Sequence, residues 1–256
     1  MPASEVPWAL VEVAAAARRV VVLTGAGMSA ESGQPTFRDP HTGLWERFCP
    51  EDLATFAAWE GDPTLVWAWY LWRFERTGLA DPNAGHRAIA DWEHLDLATV
   101  TVVTQNVDDL HERAGSGQVH HLHGSIGAFR CGECGHPFTD PIEVPEEPVE
   151  RLPPPACARC FGLVRPGVVW FGESLPPDAW SAGVEACDQA DLVLVVGTSG
   201  MVYPAAGLPA LARSNGAFVA EINPLPTELS SMADLCWREP AAVALPALLA
   251  AMTALD

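Results

Sequence analysis

Nowhere in this chain do about 18 apolar residues run uninterrupted, the length a membrane-crossing helix needs, so no membrane span is expected. Basic residues are scarce: 14 Lys and Arg stand against 33 Asp and Glu, a formal charge of −19. A surface this acidic repels phosphate backbones and argues against nucleic acid as a direct partner. It suits basic protein substrates, or simply solubility. The cysteines do not pair off. Seven are present, and Cys49, Cys187 and Cys236 stand alone, so no disulfide framework is expected and a reducing, cytoplasmic compartment is. The opening stretch MPASEVPWAL has neither a basic n-region nor a proper apolar h-region, so a secretory signal is not expected there. Repeats are absent, and low complexity is confined to one proline-rich loop. What is plentiful is core material: 49% of the residues are hydrophobic and ten are tryptophan, in a chain of 256 residues. That is enough for one large core, or a core plus a small module.

The chain is organised around Gly25 to Asp39, GAGMSAESGQPTFRD. The β-branched run Val20-Val21-Val22-Leu23 leads in and reads as a buried parallel strand. Gly25 and Gly27 let the backbone turn sharply against a ligand. Ser29, Glu31 and Ser32 are suited to opening a short helix, whose free N–H groups favour a pyrophosphate. This is a dinucleotide-site pattern with one departure. The acidic residue usual about twenty positions further on is missing, and the chain runs instead into Pro35-Thr36-Phe37-Arg38-Asp39.

Further strands are expected at Ala98 to Thr104, Val168 to Phe171, Leu192 to Val196 and Phe218 to Ile222, all in one parallel sheet with helices on both faces. Val11 to Val22 reads as an amphipathic helix feeding the first strand. Thr64 to Glu75 has apolar residues at helical spacing, with Asp62 as cap and Pro63 just inside the start. A helix from Arg87 to about Glu93 follows the turn at Pro82 to His86. Seven prolines between Pro137 and Pro155 preclude a helix there.

That proline loop is bracketed by Cys131/Cys134 and Cys157/Cys160, two CxxC pairs 22 residues apart. Four thiolates at this spacing suit one tetrahedral zinc ion with no open position, hence a structural one. Two disulfides or redox thiols are the competing readings. Among side chains able to move a proton, His111, His120, His121 and His123 are equal candidates on chemistry alone. Tyr70 and Arg73, at i and i+3, share one helix face. A buried Tyr with an Arg on the rim would explain them equally well.

Four strings in order resemble the sirtuins, the NAD-dependent protein deacylases: the Gly25 to Asp39 stretch, TQNVDDLH at Thr104 to His111, HLHGS at His121 to Ser125, and VGTS at Val196 to Ser199. The resemblance covers roughly Val20 to Leu249. It implies a Rossmann-like doubly wound α/β fold with a small zinc-binding and helical module inserted. Residues 1–38, 81–127 and 162–256 would form the NAD-binding domain, and 39–80 with 128–161 the small one. It also implies that NAD is bound by Gly25, Ala26, Gly27, Ser29, Glu31, Thr36, Phe37, Arg38, Gln105, Asn106, Asp108, Gly197, Thr198, Ser199, Asn223 and Ala241, and that His123 is the base. Val169, Phe171 and Gly172 would meet the acyl-lysine substrate. Glu239, two residues before Ala241, departs from the family's usual glycine beside the adenine.

Within the sirtuins, Tyr-x-x-Arg resembles members that remove succinyl and malonyl groups, where Arg forks onto the acyl carboxylate. Ala54 would leave that pocket roomy, and Thr36 replaces an acid found in many deacetylases. The implied reaction takes acyl groups off protein lysines and yields nicotinamide and O-acyl-ADP-ribose, with acetyl a weaker substrate. No membrane partner is expected, and a monomer is. A general deacetylase, a mono-ADP-ribosyltransferase, a dehydrogenase and a non-enzymatic nucleotide-binding module are the competing readings.

Overall fold

Near-continuous runs of Val and Leu build the main sheet of the computed structural model, which describes residues 5–35, 45, 46 and 48–255. Its six strands are β1 (Arg19–Thr24), β2 (Thr99–Thr104), β3 (Val119–His121), β7 (Leu192–Val196), β8 (Phe218–Ile222) and β9 (Leu235–Trp237). They lie in the order β3-β2-β1-β7-β8-β9, and every pairing is parallel. Strands buried on both faces need no polar alternation, and β7 is buried along its whole length. Val20 and Val22 pack on one face with residues of α1 (Trp8–Ala16), α5 (Ala84–His94) and α9 (Ala241–Thr253). Val21 and Leu23 pack on the other, with α7 (Pro177–Gln189) and α8 (Leu208–Ser214). The chain lays strands outward from β1 in one direction and then from β7 in the other. The crevice between their carboxyl ends is where such sheets take ligands.

A second sheet, β5-β4-β6, is small and antiparallel: β4 (Gly124–Cys131), β5 (Pro137–Phe138) and β6 (Val164–Val168). Helix α4 (Pro63–Leu79) packs on it, and Trp45, Trp59, Trp67, Trp69 and Trp170 are buried with Ile126, Val164 and Val168 in a third core. The Asp62 carboxylate caps α4, accepting from Leu65 N at 3.0 Å. Two short helices, α2 (Pro50–Leu53) and α3 (Phe56–Gly61), precede α4, and α6 (Leu110–Ala114) follows β2.

Four sequence expectations are corrected. Val168 to Phe171 does not rejoin the main sheet: the strand there is Val164–Val168, antiparallel to β4, and Phe171 makes only an isolated bridge to Thr55. An apolar run of four residues states burial but not which sheet it joins. The first helix stops at Ala16, because the triple valine of 20–22 pairs into β1. After the glycine turn the chain makes two single 3₁₀ turns, Ala26–Met28 and Ala30–Ser32, and α4 runs on past Glu75 to Leu79.

The four cysteines of the CxxC pairs lie with their sulfurs within 4.8 Å of one another. Cys131 and Cys160 Sγ are 3.4 Å apart, Cys134 and Cys157 Sγ 3.9 Å. Tetrahedral zinc with ordinary thiolate bonds separates its sulfurs by about 3.8 Å, so the donor set fits. All four are free thiols. Each turn also donates a backbone N–H to its first sulfur: Cys134 N to Cys131 at 3.5 Å and Arg159 N to Cys157 at 3.4 Å. Such bonds favour the deprotonated, metal-binding form. Purified protein is expected to carry about one zinc ion per chain, and chelation should strip hydrogen-exchange protection from the small sheet before the main one. A metal-free preparation whose small sheet stays fully protected would contradict the assignment.

Candidate active site

At the crevice the two glycine turns lock into each other. Gly25 N donates to Val196 O at 3.0 Å and Gly27 N to Gly197 O at 2.8 Å. A Cβ on Gly25 would lie 2.8 Å from Thr198 Cβ, and one on Gly27 2.8 Å from Gly197 Cα. Gly197 has φ +61°, and its Cβ would stand 2.4 Å from Met28 N. Only glycine fits such contacts without moving backbone. Ser199 sits half-buried beyond this turn.

From this junction two polar chains cross the strand ends. Gln105 Nε2 donates to Thr198 Oγ1 at 3.0 Å, and Asn223 Nδ2 to Thr198 O at 3.0 Å, joining β2, β7 and β8. Ser29 Oγ donates to Asp108 Oδ2 at 2.9 Å and accepts from Asn106 Nδ2 at 3.1 Å. Ser29, Asn106 and Asp108 are buried. Burial raises the Asp108 pKa, opposed by the bonds from Ser29 and Leu110 N.

The four histidines are no longer equivalent. His121 is bonded at both ring nitrogens to acceptors, Asn106 O at 2.9 Å and Glu112 Oε1 at 2.6 Å. Burial lowers its pKa and these acceptors raise it, with a net upward shift, and with both nitrogens engaged His121 has no lone pair to offer. His111 is buried, 3.2 Å from Thr24 Oγ1, with its ring 4.8 Å from that of His86. Burial keeps it neutral and in the core. His120 sits half-buried on β3 opposite Val103. His123 donates Nδ1–H to Gln105 O at 3.0 Å, which leaves the Nε2 lone pair exposed to an incoming proton. Burial lowers its pKa, with the Gln105 bond opposing, so the ring is neutral near pH 7.

Beside His123 runs the segment that would meet the substrate. Val169 N donates to His123 O and Phe171 N to Ala54 O, both at 2.9 Å, so the segment is tied to His123 and to the helical module together. Phe171 is half exposed, and Gly172 turns with φ +88°. Ala54 is buried below. On α4, Tyr70 is buried and its hydroxyl accepts from Trp170 Nε1 at 3.0 Å. The Arg73 guanidinium lies 4.8 Å over the Trp69 ring and 5.5 Å over that of Tyr70. Burial pulls the Arg73 pKa down, while Tyr70 and Asp108 support its charge. Arg73 therefore stands in the field of the carboxylate that Ser29 holds, and the two halves of the site meet there.

Residues 25–204 match the family model described as the Sir2 family. A Mycobacterium tuberculosis protein named NAD-dependent protein deacylase is 56% identical over 237 residues, spanning 93% of this chain and 99% of the relative. A crystal structure described as a Sir2 homolog–NAD complex has a TM-score of 0.89 at 44% identity, covering 99% of this chain and 97% of that one. Another, of a Sir2 protein with a deacetylated p53 peptide and 3′-O-acetyl ADP-ribose, has a TM-score of 0.80 at 30% identity, covering 95% and 97%. This chain belongs to the Sir2 family.

Within this Sir2 fold, two of the residues named for the cofactor also make contacts inside the chain. The Glu31 carboxylate accepts from Ala242 N at 2.8 Å, at the N-terminus of α9. Ala241 is buried in the core, its carbonyl pressed against Gly85. Ala26 lies half-buried on the first turn. The expected contacts of Thr36, Phe37 and Arg38 fall outside the described residues. Sequence reading passed over the Glu112–His121 pair and Trp170, since neither sits in a glycine or cysteine pattern. The i, i+9 spacing of an acid and a histidine across a turn carries no periodic signal.

With His123 as base, the acid limb of kcat/KM is expected below the ordinary histidine value of about 6.5, because burial lowers that pKa. His123→Ala should abolish deacylation while ADP-ribose still binds. A limb above about 6.5 that vanishes in His121→Ala would transfer the role to His121.

Proposed function

We propose that this chain, an NAD-dependent protein deacylase at the level of its family, prefers lysines carrying succinyl or malonyl groups and takes acetyl groups more weakly. The observation that carries the reading is Arg73. A guanidinium half-buried over two aromatic rings, next to a buried tyrosine hydroxyl, suits a ligand carboxylate. Against it stands a purely structural arginine that serves to pack Trp69 and Tyr70, which would leave a general deacetylase.

In this reading the interlocked turns and the Gln105–Thr198–Asn223 chain cradle NAD as a co-substrate, with Ser29, Asn106 and Asp108 on its nicotinamide side. NAD supplies the leaving nicotinamide and the ribose that accepts the acyl group. His123 Nε2 takes a proton from a ribose hydroxyl, and its Nδ1 bond to Gln105 holds the ring in the basic tautomer. One water is consumed, and the products are free lysine, nicotinamide and O-acyl-ADP-ribose. The acylated lysine, in a protein or peptide, runs along Val169 to Gly172. All fourteen cations of the chain are arginines, so it offers no side-chain amine to its own reaction. We place the reaction in the reducing cytoplasm, where the four zinc-site thiols would persist.

Arg73→Met tests the preference. Losing one partner of a desolvated charged pair costs roughly 2–5 kcal/mol, about 30- to several-thousand-fold. Succinyl-lysine kcat/KM should fall by that order, with acetyl-lysine affected only a few-fold. Equal losses on both would make Arg73 structural and the enzyme a general deacetylase.

A further inference from the structure

Tyr70 is surrounded by donors. Its oxygen accepts from Trp170 Nε1 at 3.0 Å, and its other near neighbour, Arg73, can only donate. Among the described residues the Tyr70 hydroxyl hydrogen meets no acceptor. A phenol whose lone pairs face donors has one role left, which is to donate.

Trp170 is itself fixed from three sides. The Arg165 guanidinium stacks 3.3 Å from the centre of its ring. Arg165 is buried and forks onto Glu173, with Nη1 to Oε1 at 2.5 Å and Nη2 to Oε2 at 2.9 Å, while Nη2 also donates to Val168 O at 3.0 Å. Glu173 Oε2 in turn accepts from Trp170 N at 2.8 Å. On its other sides the indole meets Trp59 and Tyr70, with ring centres 5.6 and 6.3 Å away. A buried ion pair that closes around a neighbouring ring adds little net stability, but it holds one geometry. Here that geometry aims an indole N–H at the Tyr70 oxygen.

We propose that Trp170 is a positioning residue for acyl specificity: its indole N–H fills an acceptor site of the Tyr70 hydroxyl and turns the phenol hydrogen toward the acyl pocket. An acyl carboxylate, which only accepts, then finds an O–H aimed at it beside the Arg73 guanidinium. An acetyl methyl gains nothing from that orientation. The inference rests on the succinyl and malonyl reading above and names a residue outside the Tyr-x-x-Arg pair that sets it.

The test is a double-mutant cycle read as the succinyl-to-acetyl ratio of kcat/KM, with Arg73→Met run alongside. Trp170→Phe keeps an aromatic ring under Arg165 but removes the N–H, and should lower the ratio roughly tenfold, as for one hydrogen bond. Tyr70→Phe should lower it similarly, and the double variant no further than either alone. Should Trp170→Phe fold poorly, benzothienylalanine at 170 preserves the indole shape with sulfur in place of N–H, and the same fall is expected. A ratio unmoved by both changes at 170, or losses at 170 and 70 that add in full, would overturn the role of Trp170 while a selective Arg73→Met leaves the carboxylate reading standing. If Arg73→Met costs both substrates alike, that reading falls and the inference with it.

Discussion

Backbone meeting backbone at the switch point of the sheet is the constraint on which the rest of this molecule depends. Gly25 and Gly27 touch Gly197 and Thr198 so closely that no side chain could intervene. That contact pulls the ends of β1 and β7 into one crevice, the place where such sheets take ligands. The residues beyond it follow. Thr198, carried by the second turn, takes bonds from Gln105 on one side and Asn223 on the other. Ser29, just past the first turn, gathers Asn106 and Asp108. A methyl group at Gly197 would meet Met28 N at 2.4 Å and would part both chains at once.

The small sheet contributes by proximity more than by chemistry. Its zinc-type cysteines lie at the ends of β4 and near the start of β6. β4 begins next to His123, and β6 leads directly into the Val169 to Glu173 segment. The cysteine cluster therefore holds together two strands whose far ends carry His123 and the Val169 to Glu173 segment. The aromatic core of α4 joins them from the other side, bringing Tyr70 and Arg73 to the same place.

Much of this was legible because the relevant signals are local. Triple valine, leucine-valine runs and glycine spacing depend on near neighbours in the chain, so β1, β2, β7, β8 and both turns could be read directly. The CxxC pairs are equally local. What escaped depends on contacts far apart in sequence. Val168 to Phe171 reads as a main-sheet strand because four apolar residues do not say which partner they take; Gly124 of β4, opposite Val168, decides it. Glu31 makes a contact that no local pattern announces: its carboxylate accepts from Ala242 N, 211 positions away. His121 and His123 lie two positions apart and are separable only through Glu112 and Gln105, which occupy different ring nitrogens. Trp170 lay inside an apolar run, and nothing local marks a tryptophan whose N–H meets a tyrosine 100 positions before it.

Acyl preference is where the chemistry of the site and the family part company, since the family resemblance covers both neutral and anionic acyl groups. Nicotinamide release from NAD, measured side by side on acetyl-, malonyl- and succinyl-lysine versions of one peptide, tests it most directly. The result expected is a kcat/KM for succinyl and malonyl lysine at least tenfold above acetyl, roughly one charge-assisted bond's worth. Acetyl turnover equal to or above succinyl would contradict a carboxylate-reading pocket at Arg73.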